Sequence, residues 1–557
     1  MKILFEGSKY ETTVLETYLN SRFFSLANNP YYSVVDYVGY YYSSHINDAV
    51  IILPKVFIYE NELAFGKYTP QEILSPNETT KQRMKEDGSD KLLFSISTWI
   101  YQAIIQFKKR QKETSIIEEE EINNVISNLG ESENTELDII LSLIKFHKEN
   151  QQLFTYVSKL NHAGQKIHWN KTVSKHTPYL SDNTPIYPNL VAKKKAIDFD
   201  EELIILFYSA LNYIKTTFGF NIILNQNYDL IKGREFERLL VNGTRKLKTI
   251  KNKYFTDKFV ALWKLLYTFF EHSEANEKSD KKREEVLLIK SFNIVFEDMI
   301  DDLIGDKNRD IPHYFKDQLD GKRVDHLYRY QSLMMNDDIY FVGDSKYYRP
   351  LNKVGKHSVE KQYTYAKNII QYNINLFNDK KLPAGIRYRD PLTEGYNITP
   401  NFFISALVDP HFDFLKDGLD KEKGSDAAEL QYHFEGRLFD RDTLLIQRYN
   451  INFLFVLSAY ISRSSLMKTN FKNKARKQFR DKMIEYFSGH YEFYKVTPKE
   501  MTTEEFVVKY FRQLNGKMYR VSNMADNLIV AIEQTDSLDL RAGVFSTDCS
   551  FVKFHLT

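Results

Sequence analysis

Read as hydrophobic and polar positions, the chain changes texture several times. Near the start, YYSVVDYVGYYYSS and AVIILPKVFIYENELAFG are short apolar and aromatic runs interrupted by His45, Asn47, Asp48 and Pro54. They predict a small β-rich domain over residues 1–82, with Pro54 at a strand edge. From there KLLFSISTWIYQAIIQFKKRQ, TELDIILSLIKFHKENQQLFTYVSKL, EELIILFYSALNYIKTTFG and FTDKFVALWKLLYTFFEH repeat apolar residues at helical spacing, so residues 83–272 are predicted to be mainly helical. The run Glu118 to Glu121 reads as a solvated helix end, and Gly130 as a break. Within this region residues 162–198 stand apart, with three prolines, Trp169 and scattered His and Lys. That texture predicts an irregular excursion, either an ordered connector or a contact for DNA or a partner. The polar segment SEANEKSDKKREE, residues 273–285, is the expected linker.

Residues 286–467 carry a different order. VLLIKSFNIVFEDMIDDLIGD is an amphipathic helix that buries Phe292, Val295, Phe296, Met299 and Leu303, stops at Gly305, and holds Glu297 beside the stripe. VDHLYRY and DIYFVGDSKYY follow as two strands of a hairpin that turns at Met335 and Asn336. SVEKQYTYAKNIIQYNINLF is a further helix. NFFISALVDP and INFLFVLSAYI are near-continuous apolar runs of the kind expected in buried strands. Between them lies a charged surface excursion. The tail, residues 468–557, is expected to be a helical extension. The sum is an α+β multidomain chain whose third region holds a central mixed β-sheet flanked by helices.

Composition narrows the setting. A length of 557 residues exceeds one ordinary core, and 43% hydrophobic with 27% charged residues is a globular balance. The net charge is +2, so any nucleic-acid surface must be local. The basic stretch KTNFKNKARKQFRDKM, with Lys472, Lys474, Arg476, Lys477 and Arg480, is one candidate DNA-binding face, and a solvated helix surface is the alternative. The single cysteine, Cys549, excludes an internal disulfide. Together with the lack of a signal-like start or a membrane-length apolar run, it predicts a cytoplasmic protein without membrane contact.

The candidate chemistry lies at the ends of the hairpin. Folding it about its turn brings Asp325 within about two residues of facing Asp344, and strand alternation puts Asp344 and Lys346 on one face with Ser345 on the other. Two carboxylates and an ammonium at one sheet rim can hold Mg2+ and orient a water, which phosphodiester hydrolysis requires. Asp-x-Lys alone carries little, since Asp280 with Lys282 and Asp320 with Lys322 repeat it; a surface hairpin with charged strand ends is the plain alternative. Only the copy at 344–346 ends an apolar strand, follows a second carboxylate at hairpin spacing and lies between amphipathic helices. The sequence contains no G-x-x-x-x-G-K-[ST], so no nucleotide is expected to bind this chain itself.

Glu297 on a helix, then Asp325, then Asp344-Ser345-Lys346, then a helix with Gln362 is similar to the PD-(D/E)XK nuclease superfamily. More narrowly, VGYYYSSHINDAVIILPKVF, GQKIHWNKTV, YFVGDSKYY, FEGRLFDRDTLL and INFLFVLSAY together resemble the LlaJI family of restriction endonucleases, relatives of the McrC nuclease subunit of McrBC-type systems. The likeness spans about residues 35 to 480 and departs at Val324, where relatives carry proline, and at the Gln362 to Tyr365 spacing. It implies a Mg2+-dependent DNA endonuclease subunit of a prokaryotic restriction system, with Mn2+ able to substitute, that cuts double-stranded DNA beside an McrB-like AAA+ GTPase or ATPase. Self-association would serve double-strand cleavage. The roles it implies are metal binding by Asp325 and Asp344, by the Ser345 carbonyl and by Glu297, water positioning by Lys346, and helix support by Gln362. Other readings are an adaptor with a nuclease-like fold that stimulates a partner NTPase, and a DNA-binding scaffold.

Overall fold

The computed structural model describes the chain except residues 44–47, 60, 114–124, 128–134, 152, 162–165, 199–200, 219, 221, 279–283, 307–312, 317, 319–322, 335–336, 351, 382, 384, 425–427, 463, 522–525, 536–544 and 557. The hairpin turn at Met335 and Asn336, the Glu118 to Glu121 run and Gly130 lie outside the described residues. Two compact units are interleaved in sequence instead of following one another: Met1, Tyr41–Ala49 and Ser127–Val286 form one, and Lys2–Tyr40, Val50–Ile126 and Leu287–Thr557 the other. Among the described residues no helix is long and apolar enough to cross a membrane.

The larger unit is built around a mixed sheet. Helix α1 (Phe292–Ile304) leads into it, burying Phe292, Val295, Phe296, Met299 and Leu303. Each such side chain contributes about 1.5–3 kcal/mol on burial. Gly305 ends the helix, its N–H returning to the Asp301 carbonyl at 2.8 Å. Strands β1 (His326–Gln331) and β2 (Asp338–Lys346) then pair antiparallel with His326 opposite Gly343. Helix α2 (Lys356–Asn378) follows. Strand β3 (Pro400–Leu407) adds parallel to β2. The short strands β4 (Asp420–Lys421) and β5 (Ala428–Gln431) both pair antiparallel with β6 (Leu444–Asn452), which itself lies parallel to β3.

Close packing explains one residue in β2. A Cβ on Gly343 would meet the ring of Phe402 at 2.3 Å, so only glycine lets β2 and β3 hold this register beneath that ring. Phe402 in turn stacks on Phe479 at 4.4 Å between ring centres. Phe479 belongs to α4 (Ser465–His490), so α4 covers the face that carries Phe402.

Three expectations for this unit change. The second apolar run is a strand only to Asn452; from there it is helix α3 (Phe453–Ile461). The Asn452 side chain accepts from the Leu454 N–H at 3.1 Å and caps the new helix, a local signal that hydrophobicity alone does not carry. The tail is not simply helical. After α4, the strands β7 (Tyr491–Pro498), β8 (Met518–Tyr519), β9 (Leu528–Glu533) and β10 (Cys549–Phe554) form a sheet in the order β8-β9-β7-β10, with helix α5 (Thr503–Leu514) between β7 and β8. Its apolar side shares a core with Leu333, Met334, Met483 and Phe487. Near the start of the chain, Lys2–Phe5 pairs in parallel with 50–53, but helices Thr12–Tyr18, Pro70–Leu74 and Glu78–Glu86 make the region mixed instead of purely β-rich.

The smaller unit carries helices Glu136–Glu149, Glu202–Phe218, Arg234–Ile250 and Asp257–Lys278. The last of these extends through 273–278, so half of the expected linker is helix. The expected irregular excursion is partly ordered, into short strands and the helix Trp169–Lys175. Thr155–Asn161 pairs with Ala192–Asp198, and Tyr179–Ser181 with Thr184–Ile186 across a turn in which Asp182 and Asn183 take φ of 50° and 61°. Asp and Asn tolerate that left-handed conformation, which suits them to a tight hairpin turn.

Candidate active site at the hairpin rim

The register of β1 and β2 carries one step past its last pair and sets Asp325, just ahead of β1, opposite Asp344. The Asp325 Oδ2 accepts the Ser345 N–H at 3.0 Å, which ties the first carboxylate to the strand that bears the second. Lys346 Nζ is ion-paired with Asp344 Oδ2, as expected from their shared face. It also lies 5.1 Å from the centre of the Phe403 ring on β3. Both side chains are nearly buried, with 6% of Asp344 and 12% of Lys346 exposed, so this charge pair is held with little water to screen it.

Glu297 comes from α1, where it follows Phe296 by one residue and so points off the buried stripe. Its Oε1 accepts from Asn293 Nδ2 at 3.3 Å, and with Asp325 it lines a cavity of about 60 Å3 that also meets Asp298, Asp301, Lys316 and Arg323. Burial first, then the nearby Glu297 and Asp344 charges, raise the Asp325 carboxyl well above its usual range, against the lowering effect of the Ser345 N–H. The Lys346 ammonium is raised too: burial opposes its charge, but Asp344 and then Asp325 outweigh it. An excess of negative charge at one point, with a fixed ammonium beside it, is therefore a property of the folded chain.

Gln362 lies fully buried on α2, and its Nε2 donates to the Val342 carbonyl at 3.0 Å. It thus braces β2 two residues before Asp344. Ser345 faces the opposite side of the sheet, where its Oγ and His326 Nε2 share a hydrogen bond of 2.5 Å. Beyond His326, Nδ1 faces Asp301 Oδ1 at 3.6 Å, and Asp301 Oδ2 accepts from Lys316 at 2.6 Å. Burial alone would raise the Asp301 carboxyl, but Lys316 and His326 pull it down to about 2. This chain of polar groups anchors the backbone on which Asp344 and Lys346 stand. Sequence reasoning passed over it, although His326 directly follows Asp325 and Asp301 lies one helical turn past Glu297.

The basic stretch on α4 is placed differently from the expectation. Arg476 is buried and donates to the Ile304 carbonyl from Nε at 2.9 Å and Nη2 at 2.7 Å, to Asp306 at 2.7 Å, and stacks 4.3 Å over Tyr328. Arg480 donates to the Ser332 carbonyl at 2.7 Å, and Lys472 to that of Gly305 at 2.6 Å. Lys474 pairs with Asp417 at 2.6 Å, and Lys477 is exposed. Arg476 and Arg480 therefore serve as internal braces for helix and strand ends. They form no open face for DNA, nor a plainly solvated one.

Hard oxygen donors of this type suit Mg2+, which takes one or two carboxylates and completes its shell with waters and substrate oxygens. Among the described residues no group of three or more His, Cys, Asp or Glu makes a ready metal cage, so the donors on hand are the Asp325 and Asp344 carboxylates, with Glu297 across the small cavity.

Comparison with known proteins adds one strong match. The model of the LlaJI restriction endonuclease family matches residues 82–402, more than half of the chain. No curated protein matches the sequence. Among solved structures, a half-complex from a tetradecameric assembly of Thermococcus gammatolerans McrB AAA+ hexamers with bound McrC matches at 12% identity, covering 86% of this chain and 99% of that one, with a TM-score of 0.29.

Proposed function

The chain belongs to the LlaJI restriction endonuclease family, and from that premise we propose that it is the Mg2+-dependent DNA endonuclease subunit of a prokaryotic restriction system. The observation that carries the proposal is the meeting of Asp325, Asp344 and Lys346 at the end of the central sheet. Asp325 and Asp344 would hold the cation, with the Ser345 carbonyl and Glu297 as further oxygen donors, and the cation would supply positive charge beside the scissile phosphate. Lys346 orients the attacking water through its Nζ. Burial opposes its charge, but the neighbouring Asp344 and then Asp325 favour its protonated form. Gln362, His326, Asp301 and Lys316 do no chemistry; they hold β2 in place. Phosphodiester cutting in this reading takes place in an assembly with an McrB-like AAA+ NTPase, and pairing of two such chains gives the double-strand break.

The test is plasmid cleavage by the full chain with its partner, in Mg2+ and in EDTA. Asp344→Ala and Lys346→Ala are each expected to lower the cleavage rate by at least a factor of about a thousand while leaving assembly intact. Cleavage at the parent rate by both variants sinks the proposal.

A further inference from the structure

Past Lys346 the same face of the sheet continues as a cleft of about 350 Å3. Its lining includes Lys346, Lys353, Ser405, Lys423, Arg448 and Asn450. The strand register explains why these residues meet. Asp344 pairs with Phe403 and Phe403 with Arg448, while Lys346 pairs with Ser405 and Ser405 with Asn450. Neighbours in register point to one side, so the two rows lie side by side on the face that bears the candidate catalytic pair. Arg448 stands two strand spacings from Asp344, about 10 Å away.

Arg448 is the unusual member. It sits in the middle of an apolar strand and is 8% exposed, yet its Nε–H has no acceptor among the described residues. Its Nη2 donates to Glu429 at 3.1 Å, which satisfies one end of the guanidinium only. A buried cation with an unused donor is costly to keep unless a ligand takes that donor. The cleft around it is rich in positive charge: Lys353 and Lys423 are exposed at its rim, and Glu422 is the one carboxylate among the lining residues. Arg349 also lines it but is committed to Glu62 and the Gly7 carbonyl. A guanidinium fork backed by two lysines matches the shape and charge of a phosphate group.

We propose that this cleft is a phosphate subsite that takes a backbone phosphodiester of the DNA strand flanking the bond cut, a role that rests on the nuclease reading above. Arg448 donates to the phosphate through Nε, and Lys353 and Lys423 add charge from the rim. The subsite fixes how the strand crosses the sheet, so it sets the position of the scissile bond relative to Lys346.

The experiment uses the full chain carrying Asp344→Asn, so that DNA is bound and not cut, and measures short-duplex binding by fluorescence anisotropy in EDTA across a salt series. Adding Arg448→Gln or Lys353→Gln is expected to weaken binding about three- to tenfold. Each should also lower the slope of log affinity against log salt by about 0.9, the value for one lost phosphate contact. Replacing single phosphates with neutral methylphosphonates should reveal one internal position that weakens the parent but has no further effect on the Arg448→Gln chain. A loss seen only on 5′-phosphorylated ends would place a terminal phosphate in the cleft and overturn the internal assignment. Unchanged affinity and slope in both variants, with native circular dichroism, overturn the subsite altogether. Lys353→Gln alters an exposed side chain, so the test survives if Arg448→Gln fails to fold. Failure of the nuclease reading would show separately, as normal cutting by Asp344→Ala, and would leave these binding measurements untouched.

Discussion

Arg476→Met tests whether the basic stretch on α4 is a brace or a binding face. The guanidinium satisfies the Ile304 carbonyl at the end of α1, pairs with Asp306 at 2.7 Å, and lies over Tyr328. Methionine keeps much of the volume and the contact with the ring but removes every donor. Loss of one partner of a buried pair costs about 3–5 kcal/mol. Asp306 also accepts the Arg329 N–H and is 25% exposed, so it is not left stranded, and the low end of about 3 kcal/mol applies. That is about two decades in the local opening equilibrium. Because the chain holds two compact units, whole-chain melting does not isolate this effect, whereas peptide-resolved hydrogen exchange does. Peptides from 292–306 and 465–490 should exchange about a hundredfold faster in the variant. The salt dependence of DNA binding should stay as in the parent. Unchanged exchange together with a shallower salt slope would refute the reasoning and put Arg476 on the DNA-binding face.

Two further outcomes follow from the site. Gly343→Ala forces a methyl into the Phe402 ring and should destabilise the sheet by about 1–3 kcal/mol, with cleavage falling in step because Asp344 is the next residue; peptide-resolved hydrogen exchange over 338–346 and plasmid cutting check both. The raised Asp325 carboxyl favours the protonated fold, so its stabilising effect is full below the ordinary carboxylate value near 4 and is lost as pH rises through its elevated folded value. Hydrogen-exchange protection of peptides from 326–346 in EDTA, corrected for intrinsic exchange rates, should therefore decline with pH over that window, and Asp325→Asn or saturating Mg2+ should flatten the decline; an equally steep decline in Asp325→Asn would assign it elsewhere.

Much of the candidate site was legible because it depends on short-range geometry. The Asp325 to Asp344 opposition needs only hairpin pairing, and the shared face of Asp344 and Lys346 needs only alternation along β2. The stripe on α1 and its stop at Gly305 follow from helical spacing and one glycine. The errors have a common source. Phe453–Ile461 is apolar enough for a buried strand, and the Asn452 cap turned it into helix. The strands of the C-terminal sheet are short, and their pairing joins residues as far apart as Phe493 and Phe554, which no local window sees. Arg448 did leave a trace, as a charge inside the apolar strand LLIQRYNIN, but its neighbours on the face are not its neighbours in the chain.

By itself, then, the sequence determined the periodic elements and the spacing of the carboxylates and lysine along them, since backbone repeats of about 2 and 3.6 residues dictate which side chains share a face. Only the tertiary structure decided which face is covered and which stays open. Lys472, Arg476 and Arg480 read as a basic surface in one dimension and are drawn onto the carbonyl ends of elements roughly 150 residues earlier. Arg448 read as nothing in particular and stands at the cleft beside Lys346. Burial and hydrogen-bond satisfaction are properties of what packs against a residue, and for the three residues of α4 the packing partners come from distant parts of the chain.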